Sequence, residues 1–347
     1  MVRTDATAKK RGGVFLWISP ALLMGLSAVT EVRADQAQCE SIYQSIEASA
    51  LEDGRKLPAI AKLSPEAARK KFANQFAPLD ATVSADGTVF SASKMLAQLW
   101  KLYGLTRASG QCSSELAQLL STVAFVEFKR DHPVEGSLYA EAALAINDLS
   151  TPELVSDAIK LHDQVANAAT DPAVAIKHMR AAVDLAPRDL SLVPLQRFGL
   201  RQRLGYWLDE GHLAAEAQQV NMQLLADAER ELGKDHEALL TVLENLAQNH
   251  YELNQLDAAR SYLQRCLALA RQHARPEVES RMLFQMGVLA HEQGNDDEAR
   301  RYMKERVEHA KRNPDFGLLD GAQSSLAELE LRIAEERKSP APSPGAH

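Results

Sequence analysis

Two residues in the N-terminal region have the types and placement that nucleophilic chemistry needs. Cys112, in "ASGQCSSEL", stands where a helix should start, so the positive end of the helix dipole would favour its thiolate, and His132 follows twenty residues on as the base such a thiol requires. The competing reading of the same cysteine is structural. Cys39 lies in the same region, and a pair of cysteines in an oxidising compartment forms a bridge. We favour the Cys39–Cys112 disulfide, because nothing around Cys112 carries the signature of a cysteine hydrolase. Elsewhere the sequence has no HExxH, CxxC, GxSxG, GxGxxG or GxxxxGK[ST] motif. His291 and Glu292 are adjacent, which sends their side chains to different faces of a helix, and His162 falls on an apolar face and reads as a core histidine. The residues therefore predict a non-catalytic chain with no cofactor and no metal.

The third cysteine raises a different question. Cys266 lies inside "NLAQNHYELNQLDAARSYLQRCLALA", in the middle of an apolar helical face, where a small side chain packs as alanine does. The elements around it recur. Ala175, Ala217, Ala259 and Ala299 are spaced by 42, 42 and 40 residues, and eleven residues after each comes Ala186, Ala228, Ala270 or Ala310. Positions four and eight after each alanine are mostly large and apolar: Met179, Leu263 and Met303, then Val183, Leu225, Leu267 and Val307, with Asn221 the exception. Offsets of 0, 4, 8 and 11 trace one face of a helix. A second apolar helix precedes each of these, marked by Leu204-Gly205, Leu246-Ala247 and Met286-Gly287. In the first unit His162-Asp163 takes those slots, so that helix is inferred from the period. Between the two helices of a unit, Asn254 and Gly294 can adopt the left-handed conformation that ends a helix. The unit is a helical hairpin.

This pattern resembles the tetratricopeptide repeat, and the first unit shows it best, with Ala175, Met179, Ala182 and Pro187 in "AVAIKHMRAAVDLAPRD". The family's second alanine position in the third unit is Cys266. A period near 42 and the phrase "ERELGKDHEALLTVLENLA" are similar to the longer-helix form found in kinesin light chains. The resemblance implies an all-α fold, a right-handed solenoid of stacked antiparallel helical hairpins, with a groove lined by the first helix of each hairpin. By that implication Lys160, Gln164, Tyr206, Asp209, Glu244, Gln248, Tyr251, Phe284 and His291 face a peptide or a partner helix. Of the basic and asparagine set by which some family members hold a carboxylate, only Lys160 and Asn167 have counterparts.

Four repeats are expected over residues 156–315, a capping helix over 316–337 and a disordered tail over 338–347. Residues 35–150 read as a helical N-terminal region with a divergent repeat at 114–148, amphipathic helices in "QCESIYQSIEASAL" and "KMLAQLWKLYGL", and a short hairpin in "TVSADGTVF" turning at Asp86-Gly87. Residues 1–34 have the layout of a secretory signal peptide: Lys9, Lys10 and Arg11, an apolar run from Val14 to Val29, and small residues before a cleavage point at Ala34. The apolar run holds a proline, a glycine and two serines and is shorter than the ~20 apolar residues a membrane span needs, which favours removal over anchoring. The chain is then exported, periplasmic or secreted. Without those residues it carries 34 basic and 45 acidic side chains, a net charge of −11, which argues against nucleic acid and anionic membrane surfaces as partners and against stable membrane insertion. The expected function is an exported protein-binding scaffold; the alternative is an exported enzyme or thiol protein with its site in 35–150 and the repeats as a docking arm.

Overall fold

The computed structural model describes residues 36–52, 57–85, 92–110, 112–146 and 152–338, and among these every regular element is helical. The segment expected to be a signal peptide, the Asp86-Gly87 turn and most of the C-terminal tail lie outside the described residues. Thr82 to Ala85, expected in a strand, instead form the last turn of a helix that runs on from Pro65.

Four hairpins follow one another from residue 152. They pair α7 (Pro152–Ala168) with α8 (Pro172–Leu185), α9 (Pro194–Glu210) with α10 (Ala214–Leu232), α11 (Leu239–Glu252) with α12 (Leu256–Gln272), and α13 (Pro276–Glu292) with α14 (Asp296–Arg312). A last helix, α15 (Leu319–Lys338), packs on α14 and α13. Local sequence sets the ends. Proline opens α7, α8, α9 and α13, where the first-turn N–H would be unpaired in any case, and Asp171 and Asn295 accept from the N–H groups of Ala173 and Glu298. Three of the four turns between paired helices place one residue in the left-handed region: His212 at φ 58°, Asn254 at 57° and Gly294 at 75°. Asn254 and Gly294 behave as their types predict. At Gly294 the missing Cβ removes the usual cost of that conformation.

The repeated alanines are the contact points. Ala175, Ala217 and Ala299 are fully buried and Ala259 is 1% exposed. The glycine slot of the first helix receives the residue four positions after the alanine of the second: a Cβ on Gly205 would meet Asn221, and one on Gly287 would meet Met303. Small-against-large pairing of this kind brings each hairpin's helices close enough to bury a continuous apolar face. Leu329 and Ile333 of α15 close the last exposed end of that face.

The N-terminal region joins the same stack. A hairpin of α5 (Ser114–Lys129) and α6 (Pro133–Ile146) packs against α7, and Leu161 and Val165 of α7 share its core. Around it lie α1 (Gln36–Glu52), α2 (Pro65–Ala85), α3 (Ala92–Trp100) and α4 (Tyr103–Ser109), which contribute Tyr43, Phe72, Leu99 and Tyr103. The single amphipathic helix expected over "KMLAQLWKLYGL" is therefore two, broken at Lys101-Leu102. The break lets the chain pass close to an extended segment. Ala61 donates its N–H to the Gly104 carbonyl at 2.9 Å, and a Cβ on Gly104 would lie 2.3 Å from the Ala59 oxygen.

Cys39 of α1 and Cys112, just before α5, form a disulfide with their Cα atoms 5.5 Å apart.

Candidate functional site

With the hairpins stacked, the 42, 42 and 40 spacing sorts the first helices into lanes that run from unit to unit. One lane holds Lys160, Gln202, Glu244 and Phe284; the next Gln164, Tyr206, Gln248 and Val288; the third Asn167, Asp209, Tyr251 and His291. The predicted site residues divide between these lanes, and the lanes differ in what they can offer a partner.

The third lane is a seam. Asn249 donates to Asp209 at 2.5 Å across α9 and α11, the Tyr251 hydroxyl donates to Glu292 at 2.5 Å across α11 and α13, and His291 lies against Asp296 at 3.0 Å and Glu336 of α15 at 3.5 Å. His291 is only 9% exposed, so the expectation that it faces a partner is corrected: α15 occupies the place of a fifth first helix and covers it. Tyr251 is partly buried against the core, and its hydrogen bond to Glu292, with some burial, raises its pKa to about 12. Asp209 rises to about 6, mainly through burial, with Glu252 and Glu210 adding repulsion and the Asn249 bond opposing both. The Asp209 carboxylate can only accept, so Asn249 turns its NH2 to it and its oxygen to buried Asn221, which donates at 3.0 Å.

Ion pairs brace the same helices. Arg203 holds Asp163 at 2.6 Å, and Arg281 grips Glu244 with two hydrogen bonds, one of 2.8 Å. Glu244 is therefore committed to its neighbour. The residues left open are Lys160, held by its own-helix neighbour Asp157 at 3.3 Å, the half-buried Gln164, Gln248 with its own-helix partner Glu252 at 2.7 Å, and the two aromatic side chains. Tyr206 is 50% exposed, with its ring edge-on to Trp207 at 5.2 Å, and Phe284 is 36% exposed. Sequence reading missed Asp163, Arg203 and Arg281. Their signal was a carboxylate and an arginine about one repeat apart, visible only once the lanes are set.

Away from this face, the residues considered for chemistry are committed. Cys112 has no free thiol, and His132 bonds Glu127 at 3.1 Å. Cys266 is fully buried, its thiol pushed up to about 12 by burial, and its S–H points at the Leu240 carbonyl at 3.5 Å. That is the environment of a packing residue. His162 is met by His178, nitrogen to nitrogen at 2.9 Å, and His178 in turn donates to Glu141 at 3.0 Å. Among the described residues no group of three or more His, Cys, Asp or Glu side chains is arranged to hold a metal ion, and no helix is long and apolar enough to cross a membrane.

The sequence profile of the tetratricopeptide repeat matches residues 203–272, which are α9 from its middle to the end of α12. No protein of curated function matches the chain in sequence. Among solved structures it is similar to the apo form of RapI, at 15% identity over 76% of this chain and 99% of that one, with a TM-score of 0.46. It is also similar to the repeats of a putative kinesin light chain from Podosopora anserina, at 15% identity over 59% and 97% with a TM-score of 0.46. A third is YrrB, described as a repeat protein of this kind with an unusual peptide-binding site, at 15% identity over 61% and 96% with a TM-score of 0.41.

Proposed function

We propose, from the premise that this is a tetratricopeptide-repeat protein, that it is an exported scaffold that binds an extended peptide or a partner helix across the first helices of its hairpins. One observation carries the reading. Tyr206 presents half of its surface on a face whose neighbours are locked to one another by Arg203–Asp163, Asn249–Asp209 and Arg281–Glu244. A large, rigid aromatic on a braced face can bury area against a partner with little loss of freedom. Gln164 and Gln248, in the same lane, supply amides that can bond a peptide backbone. Export is supported by the signal-like N-terminal sequence and by a cysteine pair in disulfide geometry, which persists in an oxidising compartment. A scaffold without catalysis is supported by Cys112, the one nucleophile considered, being bonded to Cys39.

The test uses the purified protein to retain partners from the exported fraction, followed by affinity measurements on what is retained. Tyr206→Ala should weaken binding by about 1–3 kcal/mol with unchanged helicity. Unchanged affinity, with binding lost on substitution of second-helix residues instead, would place the partner elsewhere.

A further inference from the structure

We propose that Arg306, with Ser280, Ser325 and Phe284, forms an oxyanion pocket between α13, α14 and α15 that takes a carboxylate or phosphoryl group carried by the docked partner. The first sign is in the repeat register. Seven residues after the contact alanine, the four units carry Ala182, Leu224, Cys266 and Arg306, so a guanidinium stands in a slot that the other hairpins fill with apolar packing.

The second sign is the company this arginine keeps. Arg203, Arg260, Arg271, Arg281 and Arg300 each reach a carboxylate on another helix: Asp163, Glu298, Glu279 with Glu305, Glu244 and Glu330. Arg306 has only neutral oxygens. Its Nε donates to Ser280 Oγ at 3.1 Å, and Nη1 donates to Ser325 Oγ at 2.8 Å and to the Gly321 carbonyl at 3.4 Å. Nη2 makes no hydrogen bond among the described residues. Burial alone lowers its pKa, with no carboxylate near enough to oppose that. A half-buried cation without a counterion is costly to keep, and the cost is recovered when an anion arrives.

The third sign is access. The guanidinium lies 5.0 Å from the ring centroid of Phe284, itself 36% exposed, and the space a Cβ on Gly321 would enter is open. Gly321 belongs to the first turn of α15, where the helix dipole is positive and favours an anion. Arg306 and the partly exposed Phe284 ring thus lie beside open space at the first turn of α15, with Ser280 buried behind the guanidinium and Ser325 holding it from the side.

This inference rests on the docking reading only for the origin of the anion; the pocket itself can be tested without a partner. In the full-length ¹⁵N-labelled protein, the Arg306 Nε–H resonance, identified by its loss in Arg306→Lys, is followed while sodium acetate or sodium phosphate replaces sodium chloride at constant ionic strength. A saturable shift is expected, several-fold weaker in Phe284→Ala and the same in Tyr206→Ala. The stronger of the two anions tells whether a carboxylate or a phosphoryl group is the preferred ligand. In parallel, acetate or phosphate should raise the melting temperature of the wild type over matched chloride and leave Arg306→Gln unmoved. A resonance that responds to neither anion beyond chloride, or equal stabilisation of Arg306→Gln, overturns the pocket. Either result leaves the docking reading standing, since that depends on Tyr206 and the partner.

Discussion

Asp209 shows how a single side chain can work against the stability of the stack while serving its geometry. Its folded pKa of about 6 lies above the ordinary value of 3.8, so between those two values the folded chain binds more protons than the unfolded one. Stability from this group is therefore greatest at low pH and is lost as pH rises through 6. Asp209→Asn keeps an oxygen for Asn249 and removes the charge. We expect it to stabilise the protein at neutral pH by about 1 kcal/mol, a figure reduced for solvent screening, with the gain fading below pH 6 in melting curves. His162 acts in the opposite sense. Held near His178 and Lys177 and buried against α8, its pKa falls to about 3 from 6.5, burial being the main cause, while Glu141 pulls the other way. The folded chain binds fewer protons there than the unfolded one, so this contribution is complete above pH 6.5 and declines as pH drops toward 3. Glu141, whose own pKa is lowered first by its bond to His178, adds to the loss at the acid end. The melting temperature should fall between pH 6.5 and 4, and His162→Gln should flatten that fall.

At the scale of the helix, the alanines carry the architecture. Ala259 is 1% exposed at the contact between α11 and α12, and Ala259→Glu would push a charge into that contact. The expected loss is on the order of 3 kcal/mol in chemical denaturation, and a variant of unchanged stability would show that the helices do not meet there. These contacts were legible because a small residue at fixed intervals has one cause, close approach of two helices. So were the left-handed ends at Asn254 and Gly294, where residue type and backbone conformation are directly linked. The groove was less legible. Tyr206, Gln248 and Phe284 are exposed, whereas His291, on the same predicted face, is buried, because the period says nothing of the helix that follows the last hairpin. The break at Lys101-Leu102 was missed for a related reason. An amphipathic pattern continues across it, and only the approach of Ala59 to Gly104 shows why the chain must turn. Arg306 is not marked by any motif, since its distinguishing feature is a missing counterion, which only the packed helices reveal.

Taken whole, the molecule is a row of hairpins, each stabilised chiefly by the next, with one covalent tie near its N-terminal end. Neighbour-to-neighbour stacking of this sort gives mostly local contacts and a chain that can open progressively from an end. The tie changes what opening means. Cys39 and Cys112 are 73 residues apart in sequence, and their bond encloses α2, α3 and α4 with part of α1. Pulled by its two termini, the protein can surrender α15 and then the hairpins, but the enclosed stretch cannot pay out. At ~3.4 Å per residue, about 250 Å of contour length is withheld. In an optical trap, adding a reductant should lengthen the fully extended chain by about that amount. The N-terminal end is thus an inextensible anchor and the repeats a compliant arm, so tension applied through a docked partner would be borne by the arm while the anchor keeps its length.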